Sequence, residues 1–185
     1  MIKSIMEDAR NILNKDPAAR SLVEVLLLYP SMHAIIWYRM GNFLYRHNFF
    51  FIARLFSQIG RINSGIEIHP GAKIGRRLFI DHGFGVVIGE TATIGDDCVF
   101  YHGVTLGGVA TIEKKRHPDI GNRVLIGAGA KILGPIRVND DAKIGANAVV
   151  LNEVPECATA VGIPARILIP RKDDSHLNVY YYNYI

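Results

Sequence analysis

The sequence predicts a left-handed parallel β-helix (hexapeptide repeat) with an N-terminal α-helical domain. Two observations predict it. Aliphatic residues recur every sixth position over more than eighty residues, and the first sixty or so residues carry helical apolar spacing instead. Neither a helix nor an ordinary strand produces a period of six, and the repeat keeps its phase across two interruptions.

The amino-terminal stretch reads as helices. Asp16-Pro17 has the form of an N-cap followed by a first-turn proline, opening a helix over Ala18 to Leu28. Tyr29-Pro30-Ser31 breaks it. A second helix is expected from Met32 to Tyr45 and a third from Phe50 to Ile62. Their apolar faces, including Ile35, Ile36, Leu44, Phe51 and Leu55, need a partner surface.

The repeat begins with Ile68, Ile74 and Ile80. After two extra residues, Val86 and Val87, expected to bulge outward, it resumes at Ile88, Ile94, Phe100 and Leu106. A break runs from Gly107 to Asp119, and the frame returns at Ile120, Ile126, Ile132, Val138, Ile144 and Val150. A second small or apolar track lies four residues on, through Ala72, Leu78, Phe84, Ala92, Cys98 and Val104, then Val124 to Ala148. Each hexapeptide supplies one flat side and a turn, with the aliphatic residue pointing inward and glycines such as Gly75, Gly89 and Gly95 at corners. Coils bury their interior only by stacking on one another. The expected organisation is an α-helical domain over 1–62, the β-helix over 63–168 and a tail over 169–185.

Composition narrows the function. Hydrophobic residues make up 49% of the 185, so disorder is not expected, and the net charge of +4 suits an anionic ligand without forming the dense basic stripe of a nucleic-acid binder. Cys98 and Cys157 have no metal-site or disulfide spacing. There is no signal-peptide pattern and no run able to span a bilayer, so a cytoplasmic protein is expected.

Chemistry gathers where the frame breaks, since solenoid interruptions become outward loops. The 107–119 break carries Lys114, Lys115, Arg116 and His117 before Pro118; Lys114 and Lys115 read equally well as solvated loop charges, whereas Arg116 is a planar cation suited to a carboxylate. His82 and His102 are both third in their hexapeptides, so three hexapeptides per coil would stack them beside Asp81, Glu67, His69 and Glu90. A histidine paired with a carboxylate is a general-base arrangement.

The segments Gly65-Ile66-Glu67-Ile68-His69-Pro70, Ile80-Asp81-His82-Gly83, Gly89-Glu90-Thr91, Val104-Thr105-Leu106-Gly107-Gly108, Arg116-His117-Pro118, Gly127-Ala128-Gly129-Ala130-Lys131 and Gly162-Ile163-Pro164-Ala165-Arg166 resemble the serine O-acetyltransferases of the hexapeptide-repeat acyltransferase superfamily. The likeness runs from about Asp16 to Arg166. It implies transfer of acetyl from acetyl-CoA to the L-serine hydroxyl, the first step of cysteine biosynthesis, with no metal. It implies His82 as general base with Glu67 as its partner, where many relatives carry the shorter Asp. Asp16 and Asp81 would hold the substrate ammonium, and Arg116 and His117 its carboxylate. Acetyl-CoA would lie between two subunits of a trimer, admitted by Gly108, Ala128 and Ala146, with Lys131, Lys143 and Arg166 as candidates for its phosphates. L-cysteine is expected to inhibit at the serine site. Relatives carry a longer helical amino terminus that joins two trimers, so a homotrimer is expected here, with both a lone trimer and a dimer of trimers left open. Ile185 would enter the active site of O-acetylserine sulfhydrylase. Competing readings are the same fold acting on homoserine or a sugar, a γ-type carbonic anhydrase with zinc on His82, His102 and His117, and a catalytically silent scaffold.

Overall fold

The structure, a computed structural model, describes residues 2–110 and 114–169. Ile185 and the rest of the expected tail beyond residue 169 lie outside the described residues. Four helices come first: α1 (Ile2–Lys15), α2 (Leu22–Leu28), α3 (Pro30–Arg46) and α4 (Phe50–Ser64). Strands of two or three residues follow: β1 (Glu67–Ile68), β2 (Lys73–Ile74), β3 (Phe79–Ile80), β4 (Val87–Ile88), β5 (Thr93–Ile94), β6 (Val99–Phe100), β7 (Thr105–Gly107), β8 (Asp119–Ile120), β9 (Leu125–Ile126), β10 (Lys131–Leu133), β11 (Arg137–Val138), β12 (Lys143–Ile144), β13 (Val149–Val150), β14 (Thr159–Val161) and β15 (Arg166–Leu168). They stack into three flat faces. Face 1 is β1-β4-β7-β10-β13, face 2 is β2-β5-β8-β11, and face 3 is β3-β6-β9-β12-β14 with β15 at its end.

All pairings along the stack are parallel except β14 with β15. The aliphatic positions of the six-residue frame sit opposite one another, as in Ile80↔Phe100 and Phe100↔Ile126. The chain is a left-handed parallel β-helix, and its interior is the predicted double track. Ile88, Phe100, Leu106, Ile126, Ile132 and Ile144 are fully buried, and so are Ala92, Cys98, Ala130 and Ala142 at 0–1% exposure.

Two details of the frame differ from expectation. The two extra residues of the first coil do not bulge at Val86 and Val87. Val86 is fully buried, whereas Phe84, expected on the inner track, is 77% exposed. Gly83 and Gly85, at φ 57° and 76°, adopt the left-handed backbone that lets Phe84 swing out between them. Phe84 then lies over Gly65, where a Cβ would stand 2.5 Å from its ring.

Among the helices, α3 and α4 begin and end close to the predicted bounds. The Asp16-Pro17 element does not start a helix. Asp16 Oδ1 accepts from the Ala18 N–H at 2.8 Å in a local turn, and α2 starts at Leu22 behind Ser21, whose hydroxyl accepts from the Glu24 N–H. Residues 2–15, left unbounded by the sequence reading, form α1, which packs Ala9 and Ile12 against Val25, Met32, Ile35 and Phe79. Of the helical apolar residues expected to need cover, Ile35 is buried, but Phe51 and Leu55 stay exposed.

The helices close the open top of the prism. Ala34 and Tyr38 join the β-helix core beside Ile66, Ile68 and Leu78. The Tyr38 hydroxyl donates to Ala72 O at 2.8 Å and accepts from the Ile74 N–H at 3.1 Å, while Ser57 donates to Ile68 O and Asn42 to Pro70 O. Asp8 ties α1 to both layers. One oxygen accepts from the Arg77 N–H at 3.0 Å and the other from Arg39 at 2.6 and 3.1 Å, with the Asp8 side chain only 1% exposed. Replacing Asp8 with Ala leaves Arg39 without its buried partner and is expected to cost about 3 kcal/mol of stability in urea unfolding. A loss below about 1 kcal/mol would mean that solvent screens the pair.

Candidate active site

The corner between face 3 and face 1 carries the two histidines. Because Ile80 pairs with Phe100, His82 stands beside His102, with ring centroids 6.3 Å apart in an edge-to-face arrangement. The same register continues through Ile126 and Ile144, so Ala128 and Ala146 extend the column. A column of positions that starts at two imidazoles therefore runs on over small side chains. Lys131 donates to Gly103 O beside His102, Lys143 projects from face 3, and Arg166 is exposed on β15.

His82 has φ 57°, an uncommon conformation for a residue with a side chain, and its side chain is 76% exposed. The residues following it form the Gly83–Gly85 turn, with the Gly83 N–H donating to Asp81 O and the Phe84 N–H to His82 O, each at 2.7 Å. Backbone forced into such a region and kept there is a frequent mark of functional positions.

Asp81 lies 3.9 Å from His82 Nε2. Asp16 lies in the turn before α2, and its Oδ2 accepts from the Tyr29 hydroxyl at 2.7 Å. That hydrogen bond, with burial and the charges of Asp16, Glu24 and Asp81, pushes the Tyr29 phenol up to about 12. Asp81 contributes the smallest part of the field at Tyr29.

Glu67 does not pair with His82 here. Its carboxylate sits 3.4 Å from both Arg54 and Arg61 of α4, and Asp81 is the carboxylate within 4.0 Å of His82 among the described residues. The longer Glu side chain reaches the helix layer above face 1, where two guanidinium groups hold the carboxylate.

Arg116 and His117 lie at a different corner, between face 1 and face 2. Thr91 organises them. Its hydroxyl oxygen accepts from the Arg116 and His117 N–H groups at 3.1 Å each, and its O–H donates to His117 Nδ1 at 2.9 Å. The Thr91 N–H also points at Nδ1, at 3.2 Å. Nδ1 is therefore an acceptor, which leaves the proton on Nε2, the nitrogen against Gly89. Burial, reinforced by Arg116, lowers the His117 pKa and keeps the ring neutral.

Arg116 is braced by Glu90, whose other oxygen accepts from the Tyr45 hydroxyl at 3.0 Å. Burial opposes ionisation of Glu90, but the hydrogen bonds from Arg116 and Tyr45 prevail and hold its pKa below the usual carboxylate range. Lys115, which read equally as a solvated charge, clamps the loop by donating to Thr91 O and Asp119. Gly108 packs against Arg116, where a Cβ would stand 3.2 Å from its Cγ. A cleft of about 540 Å³ opens here, lined by Tyr45, Glu90, Thr91, Lys115 and Asp119 among others. Another cleft, of about 960 Å³ between α3 and face 2, is lined by none of the expected site residues.

Sequence reasoning missed Tyr29, Tyr45 and the hub role of Thr91. The signal for Thr91 was the Gly89-Glu90-Thr91 segment, which breaks the apolar repeat with polar residues. The three histidines proposed as zinc ligands do not converge, since His117 belongs to the other corner. The described residues hold one cluster with metal-ligand spacing, Asp141, Glu156 and Cys157, and it includes none of the three.

Residues 117–152 match the family model for the bacterial transferase hexapeptide (six repeats). A serine acetyltransferase of Helicobacter pylori is 62% identical over 157 residues, which is 85% of this chain and 92% of the relative. Soybean serine acetyltransferase complexed with serine superposes at TM-score 0.87 and 42% identity, covering 90% of this chain and 68% of its own. A serine acetyltransferase complexed with CoA does so at TM-score 0.84 and 43% identity, covering 90% and 69%. Another, complexed with cysteine, gives TM-score 0.89 and 43% identity, covering 92% and 66%.

Proposed function

The chain belongs to the serine acetyltransferase family, and from that premise we infer that it transfers the acetyl group of acetyl-CoA to the hydroxyl of L-serine, giving O-acetyl-L-serine and CoA. The observation that carries this reading is the division of its polar groups into two half-sites of opposite charge. Asp81 and His82 stand at one edge of face 1, where on this reading Asp16 joins them, and Arg116 and His117 stand at the other. The first set matches an ammonium and a hydroxyl, the second a carboxylate. One amino acid carries all three.

His82 takes the hydroxyl proton as the oxygen attacks the thioester carbonyl, and the tetrahedral adduct collapses with departure of the CoA sulfur, which is protonated. Asp81, and Glu67 if released from Arg54 and Arg61, are the carboxylates available to stabilise the imidazolium. Asp16 and Asp81 bind the ammonium. Arg116, and His117 through Nε2–H, bind the carboxylate. The pantetheine arm runs along Gly108, Ala128 and Ala146, with Lys131, Lys143 and Arg166 toward the phosphates. L-cysteine, which presents the same ammonium and carboxylate, inhibits by occupying that site.

Within one chain the half-sites stand too far apart. A six-residue side spans roughly 15–20 Å at about 3.3 Å per residue, several times the length of serine. A threefold assembly with face 1 toward its axis brings the His82 edge of one copy against the Arg116 edge of the next, and it covers an imidazole that is 76% exposed in the single chain. On this reading the enzyme is a cytoplasmic homotrimer, and its carboxyl-terminal Ile185 docks O-acetylserine sulfhydrylase.

The test is thiol release from acetyl-CoA with L-serine, L-homoserine or a sugar as acceptor. Release with L-serine at a kcat/KM at least tenfold above homoserine is expected. Release with the sugar alone would sink the serine assignment and leave acetyl transfer standing. Light scattering should give the mass of three chains or a multiple of it.

A further inference from the structure

The turn that presents Asp16 is held by a side chain thirteen residues away. Tyr29 is the single residue between α2 and α3, extended at φ −84° and ψ 118°, with Pro30 opening α3 behind it. Both ends of this linker are fixed by helices, so the phenol has a defined direction. It points at Asp16.

The two Asp16 oxygens are held from different sides. Oδ1 accepts from the Ala18 N–H at 2.8 Å, and Oδ2 accepts from the Tyr29 hydroxyl at 2.7 Å. An Asp side chain in a short turn, half-exposed, otherwise rotates between its own backbone and water. We propose that Tyr29 is a positioning residue for the serine ammonium, orienting the Asp16 carboxylate through its hydroxyl so that the ammonium finds a preformed acceptor. The proposal deepens the serine reading and rests on it. The hydrogen bond to Asp16 itself, then burial and the neighbouring carboxylate charges, favour the protonated phenol, so Tyr29 remains a donor across the pH range of any thioester assay.

The experiment is steady-state kinetics on the full chain, comparing wild type with Tyr29→Phe, Asp16→Asn and the double variant. A charge-assisted hydrogen bond is lost in Tyr29→Phe, so KM for L-serine should rise about tenfold, with kcat and the KM for acetyl-CoA within twofold of wild type. Inhibition by 3-hydroxypropanoate, which keeps the hydroxyl and carboxylate but lacks the amine, should be unchanged. In the double variant the two effects should not add, because both act on one contact. An unchanged serine KM overturns the proposal. So does a parallel weakening of serine and 3-hydroxypropanoate, which marks a general distortion. Absence of serine-dependent CoA release in wild type is a different result, and it overturns the serine reading itself.

Discussion

Replacing His82 with Asn should lower kcat for serine acetylation by about 10²–10⁴-fold, the usual contribution of a positioned general base. Asn is the informative choice because His82 sits at φ 57°, a region that Asn tolerates better than most residues, so the turn survives. The side chain is 76% exposed and makes no core contact, so the melting temperature should stay within a few degrees of wild type. KM for acetyl-CoA should hold, since the column along Ala128 and Ala146 is untouched. Retention of more than a tenth of the wild-type kcat would remove His82 from the chemistry.

The second large effect concerns the carboxylate half-site. A Cβ on Gly89 would stand 2.1 Å from Cδ2 and Nε2 of His117 and 2.8 Å from its Cγ. No rotation about one bond relieves three such contacts, and the ring cannot leave without giving up the Thr91 hydrogen bonds to Nδ1. Gly89→Ala should therefore displace His117 and raise KM for L-serine by about 100-fold, the scale of a misplacement near 1 Å. Gly95→Ala is the control. It is as crowded, with a Cβ 2.6 Å from Gly121 O, but lies away from the expected site residues. It should lower the melting temperature without a selective change in serine KM. Equal effects from both substitutions would mean that Gly89 serves coil stacking alone.

The β-helix was legible because the pattern and the architecture share one cause. Every sixth residue points inward, so the period survives in any coil that packs on its neighbours. The identity of the bulge was not legible. Counting shows two extra residues, but Phe84 and Val86 are both apolar, and only the left-handed turns at Gly83 and Gly85 decide which one leaves the core. Asp16 shows a related difficulty. Asp-Pro suits an N-cap and a turn equally, and the difference comes from Tyr29, a partner that spacing does not reveal. Glu67 is the clearest case. Its place in the repeat was readable, but its partners Arg54 and Arg61 come from a helix whose seat on face 1 emerges only in three dimensions.

The contacts of Tyr38, Ser57 and Asn42 with the first coil have a consequence for the molecule in concentrated solution. A stack of parallel coils with strands about 4.8 Å apart has the repeat of a fibril, and an uncovered end would template another chain. The upper end is stoppered by helical side chains that use up the carbonyls of Ile68, Pro70 and Ala72. At the lower end β15 runs antiparallel to β14, reversing the polarity that a further coil would need to continue. Stacking head to tail along the axis, which needs both ends open, is thus opposed at each end of the described stack by different means, so removing the helices alone should not start it.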